Sequence, residues 1–327
     1  MTAKSIPSSL VFLLVALCSV AGAADNLRTM KYTSRSAADA EAWQQDLRAR
    51  LFRAMKIDDL VAREAEITLE PRVVSKTDKG TYTEQEIEIQ STPGRKIRVL
   101  VTTPTKENPP CPAVVCIHGH GGNRRVVHDN LKIYKAFAAE LAARGYVTIA
   151  ADVGQHEVYE EGRTLMGERL WDLMRCVDYL RSMPEVDPNR IGCGGLSLGG
   201  EMAMWLGAMD TRVAATVSAG FLTRMDQMEH NHCMCWKFDG LRELVDFADI
   251  YAMTAPRPLI CQNGEKEPPS QFPPSIAREA LKEILAAYAD MGKPDNVQLD
   301  VHPGAHEIDL PNLLEFFDQH LRGRETE

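Results

Sequence analysis

From Ala113 onward the sequence alternates two patterns, and that alternation limits the folds open to it. Ala113-Val114-Val115-Cys116-Ile117 is a continuous apolar run, as in a strand covered on both faces. The runs Tyr146–Ala151, Val213–Val217, Pro258–Gln262 and Val297–Val301 read as further strands. Between them lie stretches with apolar residues every three or four positions. Met166, Leu170, Leu173, Met174, Val177 and Leu180 mark the longest, and Pro184 and Pro188 close it. Lys132–Arg144 reads as a helix stopped by Gly145, and Ser275–Met291 and Leu310–Leu321 as two more. Strands alternating with helices build a mostly parallel sheet covered on both faces.

The chain before Ala113 reads differently. Lys4, the apolar run Leu10–Leu17 and the small residues Ala21-Gly22-Ala23 make residues 1–23 a secretory signal peptide, too short to span a bilayer. Export to a secreted or periplasmic location follows, with no membrane attachment after cleavage. Ser36-Ala37-Ala38-Asp39 has the form of a capping box. Trp43, Leu47, Leu51, Ala54 and Met55 then give an amphipathic helix ending near Lys56. Further on, Ile87 and Ile89 alternate with charged residues, Pro93-Gly94 marks a turn, and Ile97, Val99 and Val101 alternate again. That is an antiparallel hairpin. The expected organisation is a leader (1–23), a helical extension (24–64) and an α/β domain (65–327). Residues 220–254 are longer than an ordinary connection and form an insertion in that domain.

Arg190-Ile191-Gly192-Cys193-Gly194-Gly195-Leu196-Ser197-Leu198-Gly199-Gly200 carries a G-x-S-x-G pattern between a short strand and a helix start. A serine on such a turn projects its hydroxyl above the sheet, and the small neighbours let strand and helix approach. The amide of Leu198 points into the same space. A serine nucleophile needs a base, an orienting acid and oxyanion donors. His306, in a Gly-Ala-His turn before the last helix, is the expected base, with His302 as the second candidate. Glu267, after the run 258–262, is the expected acid and Glu265 the alternative; Asp226 and Glu229 are fallback positions. His118-Gly119-His120-Gly121-Gly122 follows the first buried strand. The amide of His120 is the expected second oxyanion donor, with Gly121 behind it, and the two imidazoles read as braces of that loop.

These motifs resemble the α/β-hydrolase superfamily: the His-Gly-x-Gly-Gly loop, the Gly-Leu-Ser-Leu-Gly-Gly elbow and Gly-Ala-His before the last helix. Asp178-Tyr179-Leu180, Val186-Asp187-Pro188-Asn189-Arg190-Ile191-Gly192 and Ala255-Pro256-Arg257-Pro258-Leu259 are similar to acetyl xylan esterase-like and dienelactone hydrolase-like members. The resemblance spans roughly residues 80–322. It implies an α/β-hydrolase fold with an N-terminal antiparallel hairpin. It also implies attack by Ser197, His306 as base and a carboxylate after a late strand. Glutamate stands where aspartate is commoner.

The net charge of −9 argues against nucleic acid or an anionic membrane surface as a partner. Eight cysteines include Cys18 of the leader, so seven remain, an odd number. Cys116, Cys193 and Cys261 lie inside apolar runs and read as buried small hydrophobes rather than bridges. His230, His232, Cys233 and Cys235 crowd into six residues of the insertion. One loop seldom wraps a tetrahedral ion alone, so they read as lid packing, and no metal or other cofactor is expected. The reading is a secreted serine hydrolase of small carboxylic esters, acetyl esters of carbohydrates among them, working through an acyl-enzyme. The alternatives are a serine peptidase of related fold and a non-catalytic binding protein.

Overall fold

The computed structural model describes residues 27–230 and 232–322, so the leader and Cys18 lie outside the described residues. The strands are β1 (Arg72–Asp78), β2 (Tyr82–Thr92), β3 (Arg95–Pro104), β4 (Cys111–Ile117), β5 (Val147–Ala151), β6 (Val186–Leu196), β7 (Ala215–Ala219), β8 (Leu259–Gly264) and β9 (Val297–His302). They form one sheet in the order β1-β2-β3-β5-β4-β6-β7-β8-β9. The β1-β2-β3 hairpins and the β3/β5 pair are antiparallel. Every pair from β5 through β4 to β9 is parallel.

Side chains alternate across a strand, so a strand buried on both faces must feed two cores. β4 does this. Ala113, Val115 and Ile117 join one hydrophobic cluster, and Val114 and Cys116 join the other. The helices Leu165–Ser182, Leu198–Met209 and Pro274–Asp290 cover the first face; Phe137–Ala143 and Leu310–Phe317 cover the second. Cys111, Cys116, Cys176, Cys193 and Cys261 are buried and unbridged.

The N-terminal helix runs Ala37–Ala54, and Leu47, Leu51 and Met55 enter the first cluster. Ser36 caps it by accepting the Asp39 N–H at 3.2 Å. The return half of the expected box differs: Ser36 N–H goes to Ser34 Oγ, and Ser36 Oγ–H to Asp39 Oδ2 at 2.6 Å. A second departure is the helix expected over Lys132–Arg144, which begins only at Phe137. Lys135 and Ala136 take left-handed φ of 52° and 49°, which an α-helix cannot contain. The turn buries Tyr134, whose Oη accepts the Gly119 N–H at 2.8 Å.

Among its described residues, the 220–254 segment holds short helices at Met225–Met228, Leu241–Leu244 and Phe247–Ala252 and a 3-10 turn at Met234–Trp236. Aromatic contacts tie the segment together: Phe247 lies 5.0 Å from Phe221 and 5.5 Å from Trp236, both edge-on. No helix among the described residues is long and apolar enough to cross a membrane.

Candidate active site

β6 ends at Leu196 and a helix begins at Leu198, leaving Ser197 between them at φ 64°, ψ −123°. Such a conformation costs a residue with a side chain on the order of 1–3 kcal/mol, so its surroundings must impose it. Ser197 N–H donates to Ala219 O of β7, and Ser197 O accepts the Glu201 N–H, both at 2.9 Å. The packing is tight enough to explain the flanking glycines. A Cβ on Gly195 would stand 2.5 Å from Ile117 O, and one on Gly199 would collide with the same carbonyl.

The loops after the last two strands meet beside this turn. β8/β9 pairing continues beyond Gly264, through Glu265 N–H to His302 O at 2.8 Å and Lys266 N–H to Gly304 O at 3.0 Å. The chain then turns, with Glu267 N–H on Gly264 O. That turn carries the Glu267 carboxylate under the Gly304–His306 loop, where its side chain is wholly buried. His306 Nδ1 donates to Glu267 Oε1 at 2.7 Å. This fixes the tautomer and leaves Nε2 with its lone pair. Gly220, at φ 60°, follows β7; a Cβ there would lie 2.8 Å from His306 Cε1, so only glycine admits the ring. Phe272 stacks on the imidazole, 5.5 Å between centroids and 17° between planes.

Ser197, Leu198, His306 and His120 line one cavity of about 290 Å³, with Glu201, Phe221, Met228, His232, Cys233, Gln271 and Phe272. The other carboxylates and the second histidine lie elsewhere. Glu265 is exposed. Asp226 pairs with Arg242, and Glu229 pairs with Arg242 at 2.6 Å and Lys237 at 2.9 Å. His302 is buried and its Nδ1 accepts the Gly304 N–H at 3.2 Å, so it shapes the turn that carries His306.

His118 acts as a brace. Its Nε2 accepts the Val153 N–H at 3.0 Å, so Nδ1 holds the proton and donates to Gly119 O at 2.8 Å. Burial lowers its pKa, which keeps the ring neutral in that role. His120 is not a brace of its own loop. Its Nε2 lies 3.1 Å from Cys235 Sγ in the insertion, and burial with nearby Arg169 lowers its pKa to about 4. Cys233 Sγ lies 3.3 Å from His156 Nε2, whereas His232 Nε2 faces Ser270 O at 3.0 Å. The cysteines of the insertion therefore meet histidines of two other loops, not their sequence neighbours.

Glu201 was not singled out by the sequence reading. It is the single charged residue of the Leu198–Met209 helix and it is buried. Burial pushes its carboxyl up to about 8. A lone charge within an otherwise apolar helix is the signal that marks it. His156 and Phe272 carried no comparable signal.

A dienelactone hydrolase family model matches residues 97–232, and an Abhydrolase family model matches residues 27–163. YtaP of Bacillus subtilis (strain 168), named as a hydrolase, is 29% identical over 59% of this chain and 72% of its own length. The quorum-quenching protein AidA of Acinetobacter baumannii (strain MDR-ZJ06) is 33% identical over 33% of this chain, with only 34% of its length matched. Among solved structures, a Bacteroides fragilis NCTC 9343 protein described as an acetyl xylan esterase superposes with TM-score 0.69 at 21% identity, covering 85% of this chain and 79% of that one. A glucuronoyl esterase from Caldicellulosiruptor kristjansonii gives TM-score 0.63 at 17% identity over 92% and 94%. The parallel sheet, the serine elbow and these matches give the chain the α/β-hydrolase fold and make it similar to dienelactone hydrolases over residues 97–232.

Proposed function

We propose that this carboxylic ester hydrolase works through Ser197, His306 and Glu267 and an acyl-enzyme. The observation that carries the reading is the 2.7 Å contact of His306 Nδ1 with the buried Glu267 carboxylate, beside the cavity that Ser197 lines. Ser197 Oγ attacks the ester carbonyl carbon while His306 Nε2 takes its proton. The carbonyl oxygen becomes an oxyanion facing the amides of Leu198 and His120. The carbon–oxygen bond to the alcohol then breaks, and the imidazolium returns its proton to the leaving alkoxide. Water, deprotonated by His306, releases the acid and restores Ser197. Glu267 stabilises the imidazolium in both halves of the cycle.

A cavity of about 290 Å³, walled by Phe221, Met228 and Phe272, suits a small acyl group. Acetyl esters of carbohydrates are the substrate class we favour, supported by the likeness to the described acetyl xylan esterase. Residues 1–23 would direct export, consistent with an extracellular polymer as substrate. The discriminating experiment sets acetylated sugars, methyl and aryl esters of uronic acids, aryl esters of increasing acyl length and an aryl amide before one enzyme preparation, with a fluorophosphonate to label the nucleophile. Labelling at Ser197 and preference for acetyl esters are expected. Amide cleavage at the ester rate would make the chain a peptidase. A folded protein that neither labels nor turns over would be a binding protein.

A further inference from the structure

We infer that His120, His156, Cys233 and Cys235 form a Cys2His2 site for one zinc ion. The four residues come from three separate loops at the catalytic edge of the sheet: after β4, after β5 and within the insertion. Yet their four ligand atoms all lie within 4.8 Å of one another. In a tetrahedral zinc site, with Zn–N about 2.0 Å and Zn–S about 2.3 Å, ligand atoms sit roughly 3.3–3.8 Å apart. The closest pairs here are 3.1 Å for His120 Nε2 to Cys235 Sγ and 3.3 Å for Cys233 Sγ to His156 Nε2. Small side-chain movements would bring all four onto one ion.

The chemistry of the set supports the same occupant. Two imidazoles and two thiols are borderline-soft donors, suited to zinc rather than to calcium or magnesium. Two thiolates would balance the charge of the dication. The His120 and His156 rings stack at 5.5 Å with 29° between planes, so both present Nε2 to the same side. Arg169 is buried and directs Nη1 at Cys235 Sγ from 3.4 Å, while its Nη2 holds Gln155 O, next to His156. A donor beside a metal-bound thiolate stabilises it and orients the ligand loop.

Four protein ligands leave no open position, so the ion would be structural. Its place gives it a task. It would tie the insertion to the loop that carries the His120 amide, and both His120 and Cys233 line the catalytic cavity. It would thereby hold one oxyanion donor and one cavity wall in register, and take no part in bond making.

The test is metal content of the purified full-length protein, with no assay of activity. After growth with zinc and gel filtration, mass spectrometry should find one zinc per chain in the wild type and in Ser197→Ala, and none in Cys233→Ser/Cys235→Ser. Should that double variant fail to fold, cobalt titration of the metal-stripped wild type still decides: thiolate-to-cobalt charge-transfer bands and tetrahedral d–d bands should appear and saturate at one equivalent. Folded wild type with neither zinc nor cobalt bands would overturn the proposal. So would full zinc in a folded double variant, or a Cys233–Cys235 disulfide found by peptide mapping in place of the metal. Because Ser197→Ala is expected to keep the ion, failure of the ester hydrolase reading and failure of the zinc site are separable.

Discussion

The two walls of the cavity beside Ser197 are built on different principles. One wall is sheet: Ser197 follows β6, His306 follows β9, and Glu267 reaches beneath it from the loop after β8. Parallel register fixes these positions, and continued β8/β9 pairing carries it two residues past each strand, to Lys266 N–H on Gly304 O. The other wall is loop. Met228, His232 and Cys233 come from the 220–254 segment, whose helices are short and whose cavity side is held by side-chain contacts. Where backbone pairing sets a position, a single substitution removes chemistry and leaves the frame. Where side chains from distant loops set it, a substitution moves the frame and leaves the chemistry.

The largest effect should come from the sheet-built wall. Ser197→Ala is expected to lower turnover on the order of a million-fold, with the thermal midpoint kept. Near-normal turnover of the folded variant would sink the assignment. Next is Glu267→Gln, which removes the charge that stabilises the imidazolium and can favour the wrong tautomer, worth up to ~10⁴ in the best-studied triad. Glu265→Gln, on an exposed neighbour, should stay near wild type. If the two variants exchange behaviour, the acid is Glu265, and the expected geometry of the β8 loop is wrong.

Acid should also act on the sheet side. His128 is buried against β5, its ring nitrogens facing Thr148 Oγ1 and Arg124 O at 3.3 Å. Burial lowers its pKa from 6.5 to about 4. The unfolded chain therefore binds a proton first as pH falls. The stability at stake is intact above pH 6.5 and is lost progressively down to about pH 4. At 1.36 kcal/mol per unit, the loss is at most about 3 kcal/mol. Denaturant midpoints of wild type and His128→Gln across that window should converge toward the acid end; parallel curves would remove His128 from the account.

The smallest effect belongs to the loop-built wall. Stripping zinc, or Cys233→Ser/Cys235→Ser, should cost roughly ten-fold in turnover, the lower end of what loss of supporting contacts around a metal site costs. Limited proteolysis should then cut first within 220–254. A loss as deep as that of Ser197→Ala would mean the ion takes part in the reaction.

The same division governs what could be read from sequence. Val114-Val115-Cys116 announces a strand because both faces are buried, and chain order alone brings Ser197, Glu267 and His306 to notice. The helix start after Lys132 was misplaced because Tyr134 turns inward to Gly119, a tertiary contact without local sign. In sequence, Cys233 and Cys235 stand beside His230 and His232, a crowded run that reads as lid packing. His156, 77 residues away from Cys233, comes close only once β5 and β7 share a sheet. The helix Ala37–Ala54, which reads as an extension, packs Leu47 and Leu51 in the same cluster as Val115 and Ile117.

The crowding around the serine turn has a consequence for how such an enzyme can change its diet. Gly195 and Gly199 press on Ile117 O, and a Cβ on Gly200 would strike Ala219 O, so the floor beneath Ser197 tolerates no added atom. Gly220 is closed to change by His306 in the same way. New substrates cannot be accommodated by remodelling that floor. A lineage adapting to a larger alcohol or a longer acyl chain, or an engineer with the same aim, is left with the roof: Met228, His232 and Gln271, whose replacement reshapes the cavity without touching the sheet.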